Sequence, residues 1–150
     1  MSIFTGMNTS ASALTAQRLR MDVVSSNIAN SETTRATVNE NGEWDPYRRK
    51  LVSFETEGNS FKSQLSRANS NSNEAAGVKA AVISEGQEPF KQMYNPIHPD
   101  ANEAGFVQMP NVDPLQEMVD LMSATRSYEA NITAFNASKN MLLKALEIGK

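Results

Sequence analysis

Two long stretches of this chain carry apolar residues at helical spacing, and the stretch between them does not. Residues 7–41 and 115–148 contain neither glycine nor proline, whereas eleven of the thirteen such residues fall between Gly42 and Pro114. Both types interrupt helices. The distribution therefore divides the chain into two uninterrupted terminal segments and a turn-rich middle. In the first segment Met7, Ala11, Leu14, Met21 and Ile28 recur at intervals of three, four or seven, with Arg18 and Ser25 diluting the stripe and Val24 on its margin. That spacing predicts a helix over residues 7–30, about 36 Å long at ~1.5 Å per residue.

The last segment has sharper punctuation. Asp113 is placed to cap a helix, Pro114 suits its first position, and Gln116 stands three residues after the cap, a capping-box arrangement. Met118, Leu121, Thr125, Tyr128, Ile132, Phe135, Lys139, Leu142 and Leu146 then follow 3-4 spacing, seven of the nine being apolar. Such a stripe over about four heptads predicts a coiled-coil seam. A margin of Ala124, Ala130, Ala134 and Ala137 leaves room for a further helix to approach. Two helices paired with each other cannot cover all this apolar surface, and exposed contiguous patches mark a partner.

Between the helices, Asn41-Gly42 is a hairpin-type dipeptide, and the runs Tyr47–Phe54, Phe61–Leu65, Val78–Ile83 and Pro89–Tyr94 lean towards strand. Ser66–Gly77 (SRANSNSNEAAG) is polar and of low complexity, which predicts a flexible loop. Asn95–Pro99 holds two prolines in five residues and is excluded from regular structure. The expected fold is α+β. Long N- and C-terminal helices pack as a coiled-coil-like domain (residues 1–30 and 111–150), with a small β-rich domain (31–110) inserted between them.

Composition narrows the function. The chain has 150 residues, no cysteine and one histidine, which excludes a disulfide scaffold, a Cys/His zinc site, a thiol nucleophile and a pair of acid–base histidines. Its net charge of −3 is too mild to imply nucleic acid as a partner. No charge precedes Arg18, and no apolar core precedes a small-residue cleavage site, so no ordinary secretory signal is expected. No apolar run approaches the ~20 residues that cross a bilayer, so no membrane insertion is expected.

The remaining chemical candidates are weak. His98-Pro99-Asp100 matches the tripeptide of co-chaperone J-domains but lacks the flanking helices, and a solvent-exposed turn is expected. His98, Asp100 and Glu103 share one loop without a second histidine to complete a zinc set. Arg48-Arg49-Lys50 lies beside Trp44 and Tyr47 as a nucleic-acid platform would. The surrounding middle segment, however, counts 8 basic against 11 acidic residues, so charge protecting an edge strand explains the triplet better. There is no G-x-S-x-G and no glycine-rich phosphate loop. No catalytic residue, cofactor or metal is expected.

Two segments resemble a known family. Ser26-Asn27-Ile28-Ala29-Asn30-Ser31-Glu32-Thr33 is similar to the S-N-x-A-N-x-x-T signature of the bacterial flagellar rod, hook and hook-associated proteins. Asn111-Val112-Asp113, Glu117–Met122 and Arg126-Ser127-Tyr128-Glu129-Ala130-Asn131 resemble the C-terminal signature of the same axial family. Pro46–Lys50, Tyr94-x-Pro-x-His-Pro-Asp100 and Gly105–Val112 are similar to motifs of its proximal-rod members. Glu32 stands where that family usually has Asn, and Thr37–Asp45 is longer than the corresponding stretch.

The resemblance implies a structural subunit of the basal-body proximal rod. Such a subunit is exported without a cleaved signal peptide through the flagellar type III apparatus and assembles helically, outside the cytoplasmic membrane, with itself and other rod subunits. The residues expected at helix packing and subunit interfaces are Met7, Leu14, Met21, Ile28, Met118, Leu121, Tyr128, Ile132, Phe135, Leu142 and Leu146. Those expected to carry the family motif are Ser26, Asn27, Ala29, Asn30, Thr33, Asn111, Val112, Arg126, Tyr128 and Asn131. Two other readings stay open here: another rod subunit of the family, or an enzyme acting on the cell wall. The latter needs a paired carboxylate in a cleft, and the carboxylates are dispersed along the sequence.

Overall fold

The computed structural model describes residues 4–40, 42–56, 65 and 77–148. Helix α1 (Phe4–Ala29) is followed by strands β1 (Thr37–Val38), β2 (Trp44–Asp45), β3 (Lys50–Thr56), β4 (Val78–Glu85), β5 (Lys91–Tyr94) and β6 (Phe106–Met109), and helix α2 (Pro114–Ile148) closes the chain. The strands form three two-stranded sheets, β1–β2, β3–β4 and β5–β6. The fold is α+β, with two long helices flanking a small β-rich region.

Helix α1 starts three residues earlier than the apolar stripe, since Gly6 in its first turn is tolerated. Along it the hydroxyls of Thr9, Ser12 and Thr15 donate to carbonyls one turn back, at 2.8–3.1 Å, so its many small polar residues are satisfied locally. Asn30 ends it. Its backbone N–H and its side-chain amide both donate to Ser26 O, at 3.1 and 2.9 Å. Helix α2 begins where the sequence places it. Asp113 Oδ1 accepts from Leu115 N at 3.0 Å, satisfying an amide that has no partner inside the helix, and Asp113 O takes the first helical bond, from Glu117 N at 3.0 Å.

Two compact units divide the chain. One comprises the described residues of Met1–Met21, Ser53–Val82 and Met122–Lys150. Within it Ala16 and Ala124 are buried, Ser12 Oγ accepts from Val78 N at 3.0 Å, and Thr125 Oγ1 reaches Met21 Sδ at 3.6 Å, joining the two helices. The other comprises Asp22–Val52 and Ile83–Leu121. Its buried apolar side chains are Val23, Val24, Tyr47, Val107 and Val112, and here too the helices meet, through Asn27 and Glu117.

The strand boundaries differ from the sequence reading for local reasons. The run at 47–54 becomes a strand only from Lys50, because Tyr47 N is already committed to Thr33 O at 3.1 Å. The run at 89–94 pairs only from Lys91, since Pro89 has no N–H to give a ladder. Strand β6 was not expected from periodicity. It pairs antiparallel with β5, Tyr94 opposite Phe106 and Lys91 opposite Met109. The expected strand at 61–65 lies outside the described residues except for Leu65, which is helical and not in a strand, and the loop at 66–77 lies outside them except for Gly77. The β1–β2 hairpin turns through residues 39–43, with Asn39 N bonded to Glu43 O at 2.9 Å and Gly42 at φ +83°; Asn41 itself is outside the described residues.

Gly105 closes the long β5–β6 connection at φ +78°. A Cβ there would sit 2.9 Å from Tyr94 Cε2 and 3.3 Å from Pro96 Cβ. Gly105→Ala combines a left-handed backbone penalty with this clash against a ring held edge-on to Phe106 at 5.4 Å. The expected loss is about 2–3 kcal/mol in a denaturant titration, with early loss of hydrogen-exchange protection across β5 and β6.

Candidate functional site

The most buried polar side chains belong to the motif that ends α1 and the first turn of α2. Asn27 and Glu117 are each 1% exposed, and burial of this depth is affordable only with full hydrogen bonding. Asn27 has it. Its Oδ1 accepts from Lys50 N at 2.9 Å and Tyr47 OH at 3.0 Å, and its Nδ2 donates to Lys50 O at 2.9 Å and Glu117 Oε2 at 3.1 Å. The side-chain amide thus pairs with the backbone of Lys50 as a neighbouring strand would, at the first residue of β3. Glu117 Oε1 accepts from Arg49 Nε at 2.6 Å, and the Arg49 guanidinium also lies 3.8 Å from Asp120. One asparagine therefore ties together the end of α1, the start of β3 and the start of α2.

The rest of the N-terminal motif supports it. Ser26 Oγ lies 3.3 Å from Tyr47 OH, Asn30 caps the helix, and Thr33 Oγ1 donates to Asn30 Oδ1 at 3.2 Å while Thr33 O takes Tyr47 N. Ala29 is exposed. Just beyond, Asp100 accepts from Thr34 Oγ1 at 2.8 Å and from the Arg35 guanidinium, with Nε at 2.7 Å. Arg35 and Thr34 hold the Asp100 carboxyl below the ordinary aspartate range, and Asp100 holds Arg35 above its own. His98 Nδ1 accepts from Asp100 N at 3.1 Å. The His-Pro-Asp loop is thereby tied down by an exposed ion pair.

The basic triplet does not act as one surface, because its members diverge. Arg48 stacks 4.5 Å above the Phe90 ring, Arg49 turns to Glu117, and Lys50 Nζ lies 5.8 Å from the Tyr47 ring. Only Lys50 is in a strand, which corrects the edge-strand explanation. Tyr47, Arg48, Leu51, Glu88, Phe90 and Asn111 line a cleft of about 380 Å³. Its carboxylate, Glu88, accepts from Asn111 Nδ2 at 2.7 Å, so Asn111 of the C-terminal motif is held there. Val112 is buried and its carbonyl accepts from Lys91 Nζ at 3.4 Å.

On α2 most of the covered positions form a row of their own, Glu117, Leu121, Ala124, Tyr128, Asn131, Phe135, Ser138 and Leu142, with Asp120 and Ser127 beside it. This row shares Leu121, Tyr128, Phe135 and Leu142 with the apolar stripe. At the alternate positions, however, it runs one residue earlier, through Glu117, Ala124, Asn131 and Ser138. Met118, Ile132 and Leu146 remain exposed, as does Arg126, which has no partner among the described residues. Asn131 Nδ2 donates to Ser127 O at 2.8 Å. On α1 the buried positions are Ala16, Val23, Val24 and Asn27, while Met7, Leu14, Met21 and Ile28 are half-covered.

Periodicity missed Glu117, Arg49 and Tyr47, since a buried polar network leaves no apolar trace. The available signal was an acidic residue in the first turn of α2, where the helix dipole favours it. Among the described residues, no helix is long and apolar enough to cross a membrane.

Comparison with known proteins places these features in one family. Residues 7–37 match the family described as flagella basal body rod protein, and residues 103–148 match the flagellar basal body rod FlgEFG protein C-terminal family. The chain is 62% identical to the flagellar basal-body rod protein FlgC of Bacillus subtilis, covering 100% of both chains. It is 40% identical to FlgC of Borreliella burgdorferi over 99% of this chain and 98% of that one. It is likewise 40% identical to FlgC of Salmonella typhimurium, over 93% and 92%. The buried Asn27 lies inside the first matched segment and its partner Glu117 inside the second. With near-complete coverage at these identities, the chain belongs to the FlgC family of flagellar basal-body rod proteins.

Proposed function

We propose that this chain is a non-enzymatic structural subunit of the flagellar proximal rod, located outside the cytoplasmic membrane and built into a helical assembly through its two terminal helices. The observation that carries this reading is the exposed apolar surface of α2. Leu115, Met118, Val119, Met122, Leu143 and Leu146 are all about half exposed or more, far more apolar surface than a helix pair leaves open without a partner. Heterologous contacts of this kind, repeated without closing, generate filaments. In this reading residues 1–30 and 111–150 form the assembly part. Met7, Leu14, Met21, Ile28 and the α2 stripe from Met118 to Leu146 contribute to packing within and between subunits. The motif residues Ser26, Asn27, Asn30 and Thr33 join the helices to the β-rich part at 31–110. Partners are further copies and other rod subunits, reached through the flagellar type III export apparatus.

The test replaces exposed apolar residues without touching the buried network. Met118→Glu and Leu146→Glu are expected to leave the thermal midpoint of the purified chain within about 2–3 °C of the parent, as exposed substitutions do. They are expected to abolish swimming in a strain that carries the variant as its sole copy. Intact rods containing the variant would refute the interface assignment.

A further inference from the structure

The outward faces of the two helices differ in character and fit each other. On α1 the exposed row at 3-4 spacing runs through Phe4, Ala11, Arg18, Asp22, Ser25 and Ala29, mostly small. On α2 the exposed face carries Leu115, Met118, Met122, Arg126, Glu129 and Leu143, mostly large. Arg18, Asp22, Arg126 and Glu129 are exposed, and none is paired within the chain among the described residues.

The order of the charges selects a direction. Going up α1 the signs are plus then minus, and going up α2 they are again plus then minus. A parallel docking sets Arg18 against Arg126 and Asp22 against Glu129. An antiparallel docking sets Arg18 against Glu129 and Asp22 against Arg126. The spans agree, at about 6 Å from residue 18 to 22 and about 4.5 Å from 126 to 129 for a rise of ~1.5 Å per residue. The register that pairs Arg18 with Glu129 also sets Met122 against Ser25, Met118 against Ala29 and Leu143 against Phe4. Two large side chains thus meet two small ones, and two exposed apolar residues meet at the far end.

Resting on the assembly reading above, we infer that the exposed face of α2 receives the exposed face of α1 from a second copy of this chain, antiparallel, with Arg18–Glu129 and Asp22–Arg126 fixing the register. The apolar positions supply the attraction. The charges exclude the parallel and slipped alternatives.

The chain has no cysteine, so single-cysteine variants report only contacts between copies. Full-length Ser25→Cys mixed with full-length Met122→Cys is expected to form a mixed disulfide under mild oxidation at low salt. Ser25→Cys with Asn140→Cys, on the same α2 face but about 27 Å further along, is not. Adding Arg18→Glu to the first chain should lower the adduct yield about threefold, and adding Glu129→Arg to its partner should restore it. No preference for the 25–122 pair, or no response to the charge exchange, overturns the register. Preferential capture of another rod subunit at Met122, in place of a second copy, overturns the choice of occupant. If the parent chain enters basal bodies while these results fail, the register alone is wrong. If it does not enter them, the assembly reading fails with it.

Discussion

Asn27→Ala is expected to lower the stability of the folded chain by about 3–5 kcal/mol, more than any exposed substitution on either helix. The loss has named parts. Lys50 N–H and C=O, Tyr47 OH and Glu117 all bond to this one side chain, and each buried group left without a partner costs about 1–3 kcal/mol before relaxation. Urea denaturation followed by far-UV circular dichroism measures it. Ser25→Ala, exposed two residues away, serves as the reference, expected within about 0.5 kcal/mol of the parent. Asn27→Asp keeps the acceptor but places a carboxylate against Glu117, and it should be no better than alanine. A small loss, under about 1 kcal/mol, would mean that the junction is held by apolar packing and not by the network.

The second large effect concerns the ion pair beneath it. Arg49→Met removes the guanidinium from Glu117, a carboxylate only 1% exposed, and is expected to cost about 3 kcal/mol because a buried charge loses its counter-ion. Arg49→Met combined with Glu117→Met should be more stable than Arg49→Met alone, since an apolar pair of similar volume needs no desolvation. The two positions are in contact, so their effects will not add, and a double-mutant cycle reads the coupling directly. An additive cycle would show that Glu117 is held by Asn27 alone.

These effects also explain what the sequence made legible. The start of α2 was readable because its chemistry is local, in Asp113 and Pro114, whereas the bounds of α1 came from apolar spacing, which put its start three residues late. The α+β class followed from where Gly and Pro fall. Periodicity found half of the covered α2 row, the half filled by Leu121, Tyr128, Phe135 and Leu142. It could not find the other half, because Glu117, Asn131 and Ser138 are polar and Ala124 is small. Glu117 is covered by virtue of partners that lie 68 and 90 residues away in the chain. Strand β6 was invisible for a related reason. Four residues between Gly105 and Pro110 give too short a pattern, and their pairing depends on a turn closed by Asn102, whose side chain accepts from Phe106 N at 2.9 Å. Asn27 was singled out by its family motif and by nothing in composition or spacing; the structure supplies the physical reason for that motif.

The division of labour that follows is simple. A fully satisfied polar network joins both helices to the β-rich region, while α2 keeps Leu115, Met118, Met122 and Leu146 outward. A subunit that works alone has no use for the second feature, whereas a subunit of a shaft requires it. The most direct test is mass spectrometry of basal bodies purified from cells whose only copy carries an affinity tag in the Ser66–Gly77 segment. The chain should be present in amounts comparable to other rod subunits, and basal bodies should be missing when Met118 and Leu146 are both changed to Glu. Complete basal bodies that lack the chain would contradict its assignment as a rod subunit.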